Sequence, residues 1–445
     1  LDFVEKGEGN VRVEISGIGK SVLNLAGAPF GLSFGNTTIT SSMDLTSAFS
    51  GEGIGVAGQL KLGAFSVKNA SMVTPPIDIA FEYSLKAHSS ETVFDIEKFL
   101  FTGTQGGNQV LSVILDQQFR LTLPKEGDPE IGDATFTAML TGLNLGSWSG
   151  LTGGRIRGGM VDLAAHVISK DGGNSVSVVL TKKIRNLGLA VGTNVVTGLD
   201  TDTELRLSVT NQQELALEIL KVDITHQGLE LLELQAGGKV NLKDQTVDIG
   251  TILNVDLPKA LRLNPVEGLD FREGKLSFTG RLASSKSEAG IRQGIDGNLS
   301  ITDLSGSVAG HMIDRFSIET VLLAAILDQK RLVVEKFQAP ISMSGLPAGG
   351  VHVTANASLD FHDVSAAIAI TNLNENLLRP FLEPLLGGAK LSKAQFDIKL
   401  NASMTEDGKK AVQCDLNLNN LQVIDPKAQI PSTPLAVRLN AKGVI

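Results

Sequence analysis

The chain is poor in the residues on which most protein chemistry depends. Cys414 is the only cysteine among 445 residues, which excludes an internal disulfide and a thiolate metal cluster. It alternates with Val412, Leu416 and Leu418, so it reads as a core-facing thiol and not a reactive one. Trp and Tyr occur once each, and aromatics make up 4% of the chain, nearly all of it Phe. The apolar surface is therefore aliphatic. Basic residues are also in deficit: 39 Lys and Arg stand against 48 Asp and Glu, a net charge of −9, and they are dispersed. A phosphate-tracking protein normally carries a basic face, so no nucleic-acid partner is expected. The longest apolar run, Val321 to Leu327, falls far short of the roughly 20 residues that span a bilayer as a helix. Because the chain starts at Leu1 without Met and stops at Ile445 inside a strand-like run, it reads as a segment of a longer protein. The lack of a targeting signal then carries no weight.

Catalytic constellations are missing too. The six histidines (His88, His166, His226, His311, His352 and His362) show no His-x-x-x-His or His-Glu-x-x-His spacing. His166 and His352 fall on polar strand faces. Asp95 and Glu97 share a strand face, as paired catalytic carboxylates would. A solvated face accounts for them better, since Val333 and Glu335 stand at the matching places later in the chain. No Gly-x-Ser-x-Gly elbow occurs. The expectation is a protein without enzymatic activity, cofactor or bound metal.

What is abundant is alternation. Hydrophobic content is 42%, with 48 Gly beside 14 Pro to supply turns, which argues for extensive burial and many short connections. Val351, Val353, Ala355, Ala357, Leu359 and Phe361 alternate with His352, Thr354, Asn356, Ser358 and Asp360. Phe396, Ile398 and Leu400 do the same, as do Leu205, Leu207 and Val209. This period of two is the signature of a strand with one apolar face. Turn signals such as Lys170-Asp171-Gly172-Gly173, Lys125 to Pro129 and Glu406-Asp407-Gly408 punctuate the runs. Together they predict roughly 20 to 25 strands, mostly joined as antiparallel hairpins. Val321 to Leu327 looks helical by propensity but matches the alternating Ile77 to Ala87 when the two halves are aligned, so it is expected to be a strand.

The chain also repeats itself. Glu97-Lys98-Phe99 recurs as Glu335-Lys336-Phe337, an offset of 238, and Gly153-Gly154 recurs as Gly387-Gly388, an offset of 234. Asp162-Leu163 then Lys170-Asp171-Gly172 recurs as Asp397-Ile398 then Glu406-Asp407-Gly408. Two tandem copies of about 235 residues follow, far beyond the periods of solenoids and propellers. The copies are placed at residues 1–210 and 211–445, on one continuous sheet with a soft boundary. The clearest helix is expected over Glu375 to Leu386. There Leu377, Leu378, Phe381, Leu382, Leu385 and Leu386 recur at helical spacing, and Gly387-Gly388 ends it. Pro380 and Pro384 keep it short or kinked. The first copy has the shorter, less apolar Gly146 to Leu151 there. Core packing is the favoured role of this helix over a lid or a lipid-lying element. Arg155 and Arg157 follow Gly153-Gly154, and Lys390 and Lys393 follow Gly387-Gly388. A turn is the simpler reading of these segments; the other is that the four cations meet lipid phosphates at a groove edge.

Asn372-Leu373-Asn374, the Leu-rich stretch, Leu385-Leu386-Gly387-Gly388 and the alternating Phe396 to Ala402 resemble the repeat of AsmA-like envelope proteins. Leu143-Asn144-Leu145, Gly153-Gly154 and Asp162 to His166 resemble the same unit in the first copy, and Gly274 to Gly280 and Gly297 to Ile301 resemble that family's glycine-led strands. The layout is most similar to the YdbH branch, beside TamB and YhdP. The family's N-terminal membrane helix is missing, and Ser147-Trp148-Ser149 weakens the first helix. The resemblance implies an elongated, curved antiparallel β-groove with long transverse strands and few short helices. Its apolar trough would pass phospholipid acyl chains between the inner and outer membranes, in the periplasm of a diderm bacterium. An N-terminal anchor outside the segment and a partner protein at the outer membrane are implied as well. Leu205, Leu207, Val209, Val351, Val353, Ala355, Ala357, Leu359, Phe361, Phe396, Ile398 and Leu400 would line that trough. The alternatives are assembly of outer-membrane proteins, as in the TamB relatives, and a structural or adhesive β-solenoid.

Overall fold

A computed structural model describes residues 8–48, 53–70, 72–88, 93–123, 130–192, 194–287, 290–327, 330–360, 362–405, 408–425, 427 and 433–444. The chain divides into two compact units, Leu1–Leu229 and Glu230–Ile445. Residues 210 and 211 lie at the turn between two strands of the first unit. The fold is all-β, 75% strand and 10% helix. Every pairing is antiparallel, as hairpin-linked alternating runs require.

In the first unit the strands are β1 (Glu8–Ile18), β2 (Thr38–Ala48), β3 (Gly53–Phe65), β4 (Ile77–His88), β5 (Val93–Gln105), β6 (Asn108–Gln117), β7 (Phe119–Thr122), β8 (Glu130–Ile131), β9 (Ala134–Asn144), β10 (Ile156–Lys170), β11 (Ser175–Val191), β12 (Asn194–Thr210) and β13 (Glu214–His226). Each pairs with its chain neighbour except at one fork. There β5 holds β6 along one half and β7 along the other, β8 pairs only with β7, and β6 passes the sheet on to β9. The second unit runs through β14 (Leu229–Asn241), β15 (Thr246–Asp256), β16 (Leu269–Ser287), β17 (Gly290–Val308), β18 (His311–Leu327), β19 (Arg331–Met343), β20 (Leu346–Ser358), β21 (Val364–Asn374), β22 (Lys390–Met404), β23 (Lys410–Ile424) and β24 (Leu435–Val444). Among the described residues, no pairing closes either unit into a barrel.

Val321 to Leu327 lies inside β18, as the alignment of the two halves predicts. Its helical look has a physical cause: Val321 and Leu323 oppose Asn298 and Asp296 on one face, while Leu322 and Ala324 oppose Gly297 and Ile295 on the other. Both faces are apolar there, so the period is blurred.

Helices interrupt the strands at regular intervals. They are α1 (Lys20–Gly27), a 3₁₀ helix at Leu145–Thr152, α2 (Leu257–Leu263) and α3 (Glu375–Leu382). Their starts lie 125, 112 and 118 residues apart. A residue with left-handed backbone follows each one: Ala64, Asn186, Asp303 and Asn420, with φ between 47° and 54° and spaced by 122, 117 and 117 residues. Each copy of about 235 residues is therefore itself double. From each helix to the next run six main strands.

The ends of the predicted helix follow its sequence. Asn374 caps α3 by accepting the Asn376 N–H, Pro380 lets the helix run only to Leu382, and Gly387 takes φ 61° beyond the short 3₁₀ turn Glu383–Leu385. In the second unit the sheet curves, so that α3 touches five consecutive strands, β18 to β22. A helix of eight residues is about 12 Å long, whereas five strands span about 19 Å. Leu377 on α3 and Leu257 on α2 pack against one cluster at the strand ends: Leu304, Ile313, Met343 and Ala348. Core packing thus holds for Leu377. Leu385 stays 78% exposed.

Candidate functional site

Residues directly opposite in an antiparallel pair point to the same side of the sheet, so the register sorts the side chains into rows. Val351 on β20 faces Ile370, which faces Ile398, then Leu416, then Leu439 on β24. The next row is Val353, Ile368, Leu400, Cys414 and Ala441. A third is Ala355, Ala366, Ala402, Val412 and Gly443. Backwards along the sheet, Phe337, Val334 and Leu332 on β19 oppose Val353, Ala355 and Ala357. Leu276, Phe278 and Leu282 on β16 oppose Val255, Leu253 and Ile249 on β15. The other face carries His352, Ala369, Lys399, Asp415 and Asn440 in one row, and Asn356, Ser365 and Ser403 in another.

The apolar rows are a surface, not a core. Val351, Val353, Ala355, Phe396, Ile398 and Leu400 are half-buried, and of the expected lining residues described in this unit only Ala357 is buried. Val412 is 46% and Leu439 54% exposed. A hollow of about 500 Å3 is lined by Ala355, Ala366, Ala402 and Val412, with Thr354, Asn356, Asn401 and Gln413 around them. Phe396 keeps the side of Ile398 and Leu400 and meets Leu418, and Leu373 across a bulge. Leu359 departs from expectation. Strand β20 ends at Ser358, whose N–H donates to the Asp363 carbonyl to close the turn, and Leu359 lies beyond it, exposed. Phe361 falls outside the described residues.

The first unit has the same arrangement. Leu205 faces Leu180 and Leu220, Leu207 faces Val178 and Leu217, and Val209 faces Val176 and Leu215, all three half-buried on β12. A bulge between Arg206 and Leu207 keeps the apolar residues of β13 in line. Further along, the rows become aromatic. Phe119 meets Phe136 at 6.0 Å, Phe136 meets Phe99 at 6.4 Å, and Phe99 meets Phe81 at 5.1 Å. Tyr83 stacks on Phe81 at 5.3 Å.

The paired carboxylates on β5 belong to an ion cluster. Arg120 donates to both Asp95 oxygens at 2.7 and 3.1 Å, and His88 Nε2 lies 2.7 Å away. These partners, Arg120 first, hold the Asp95 carboxyl down at about 2. Glu97 bonds Lys86 and Ser84 and is likewise lowered, chiefly by Lys86. Groups this firmly ionised are poor proton donors at neutral pH. His166 Nδ1 lies 3.1 Å from Thr137 Oγ1, and His352 is exposed.

Arg155, Arg157, Lys390 and Lys393 occupy matching places, where the chain leaves a helix and starts β10 or β22. All four are exposed, and among the described residues none has a carboxylate partner. Lys393 lines a hollow of about 320 Å3 with Asn372, Asn374, Glu375 and Asn420.

One charged residue on the apolar face is masked in the sequence. Lys182 follows Val176, Val178 and Leu180 in strict alternation on β11, and the register puts it opposite Leu163 and Thr203, on the apolar face. The period of two, counted one step further, points to it; the neighbouring Thr181 and Lys183 hide it in a polar-looking run. Among the described residues no helix is long and apolar enough to cross a membrane. Comparison with family models, with curated sequences and with solved structures returns no match.

Proposed function

We propose that the protein carries lipid acyl chains along the apolar face of its sheets, as a section of an intermembrane phospholipid conduit. One observation carries this reading: rows of aliphatic side chains run across many strands with no second layer on them among the described residues. A monomeric protein rarely leaves so extended an apolar surface uncovered unless something apolar binds there. The length of the rows favours long, flexible chains over a compact ligand, which wants an enclosed pocket. An aliphatic lining with few aromatics suits sliding, because it offers dispersion contacts without directional anchors. The resemblance to AsmA-like proteins argues the same way, and with it come the periplasm and the two membranes as the setting. Arg155, Arg157, Lys390 and Lys393 would meet headgroup phosphates where each trough reaches its helix-bearing rim.

The test is mass spectrometry of lipids extracted from the purified segment. Phospholipid retained in near-stoichiometric amount is the expected result. Protein that is folded but free of lipid, and that takes up none from vesicles, would overturn the reading.

A further inference from the structure

Among the described residues of the first unit, the apolar rows contain one Lys, Arg, Asp or Glu, and it is Lys182. Around it stand Leu180 and Ile184 on its own strand, Leu163 across one ladder and Thr203 across the other. Ile184 in turn opposes Thr201. The Thr201 and Thr203 hydroxyl oxygens are shielded from solvent and have no hydrogen-bond partner. Lys182 itself is half-buried and has no hydrogen bond or ion pair among the described residues. One cation and two unsatisfied hydroxyls thus share a patch of an otherwise aliphatic face.

A lysine on an apolar surface ordinarily leads its ammonium to water by snorkelling. Here the position works against that. Lys182 lies seven residues from Ser175 and nine from Val191, the two ends of β11. At a strand rise of about 3.3 Å per residue the nearer end is about 23 Å away, beyond the reach of a four-carbon stem. The ammonium therefore stays over the trough. Any chain that covers the rows also strips its water, and a desolvated cation without a counter-charge is costly.

We infer that Lys182, beside Thr201 and Thr203, is a binding point for the head of a long-chain carboxylate lying on this face. The inference rests on the acyl-chain reading above. A carboxylate supplies one negative charge, accepts from the Lys182 ammonium, and adds almost no bulk to the chain that carries it. A zwitterionic head would bring a cation that finds no acidic partner in these rows. A larger phosphodiester head would have to displace the aliphatic neighbours Leu180, Ile184 and Leu163. Lys183, one residue on, is a poor substitute, because it faces the opposite side with Asp162 and Asp202.

The experiment compares oleate, oleyl alcohol and dioleoyl phosphatidylglycerol as ligands of the full chain and of its Lys182→Met variant. Methionine keeps the length of the stem on a face that already accepts apolar groups, and circular dichroism checks the fold. The native protein is expected to bind oleate at least about tenfold more tightly than the alcohol, the scale of one charge-assisted hydrogen bond. The variant should bind the two alike. Equal binding by the native protein, or a preference that survives in the variant, overturns the inference and leaves the acyl-chain reading standing. Stronger binding of phosphatidylglycerol than of oleate, lost in the variant, overturns the carboxylate assignment. Failure of all three ligands to bind overturns both.

Discussion

The N–H of Asn372 donates to Asp397 Oδ1 at 2.7 Å across the helix-bearing step from β21 to β22. In the first unit Gly142 and Asp162 make the same bond at 2.8 Å. Asn372 and Gly142 have φ of 53° and 60°, and each sits where the register slips at a bulge. The slip leaves a ladder N–H without its carbonyl, and the carboxylate on the next strand accepts it. Asp162 and Asp397 are the repeated aspartates of the sequence, so their recurrence has a structural reason. Removing the acceptor by Asp397→Ala should destabilise the protein by about 1–3 kcal/mol, the cost of an unsatisfied amide. Chemical denaturation of the variant measures it, and Asn372→Gly should be close to neutral because glycine accepts positive φ.

The ion cluster on β5 fixes an acid dependence. Arg120 and His88 depress the Asp95 carboxyl to about 2, below its unfolded value near 4. A depressed acid stabilises the fold fully above the unfolded pKa, and that stabilisation is lost as pH falls through the folded one. Stability should therefore drop between about pH 4 and pH 2, and less so in Asp95→Asn. Melting temperatures recorded across that range decide it.

Leu377 of α3 packs on the cluster of Leu304, Ile313, Met343 and Ala348. Leu377→Ala should cost about 1–3 kcal/mol, the lower range for a partly buried leucine. Leu385→Ala, at a largely exposed site, should leave the denaturation midpoint unchanged. Equal losses in the two variants would contradict this packing.

The alternation carried most of the fold, because a period of two is written in residue types. Strands β20 and β22 and the faces of Val351, Ile398 and Leu205 follow from it directly, whereas β18 needs the match between the two halves. The fourfold block was harder to see. Its markers, Ala64, Asn186, Asp303 and Asn420, share a left-handed backbone but not a side chain, so nothing in composition repeats. Leu359 is a related case: the alternating pattern runs on past the residue at which the turn through Ser358 and Asp363 ends the strand. Lys182 is hidden because a lysine between a threonine and a lysine looks like a solvated segment, although the period of two runs on to it and the register agrees.

Charge placed on the apolar rows separates a surface from a core. Ala355 and Ile398 are half-buried, so an aspartate there keeps access to water, whereas in a sealed core it would unfold the chain. Ala355→Asp and Ile398→Asp should retain native circular dichroism and lose most of the co-purifying lipid.

The most direct measurement places a photo-crosslinker in turn at Val353 and Ile398, on the apolar rows, and at His352 and Lys399, on the opposite face. Irradiation in cells followed by mass spectrometry of the adducts reads which face meets lipid. The account predicts lipid adducts at Val353 and Ile398 and little or none at His352 and Lys399. Equal labelling of both faces, or lipid adducts only at His352 and Lys399, would contradict it.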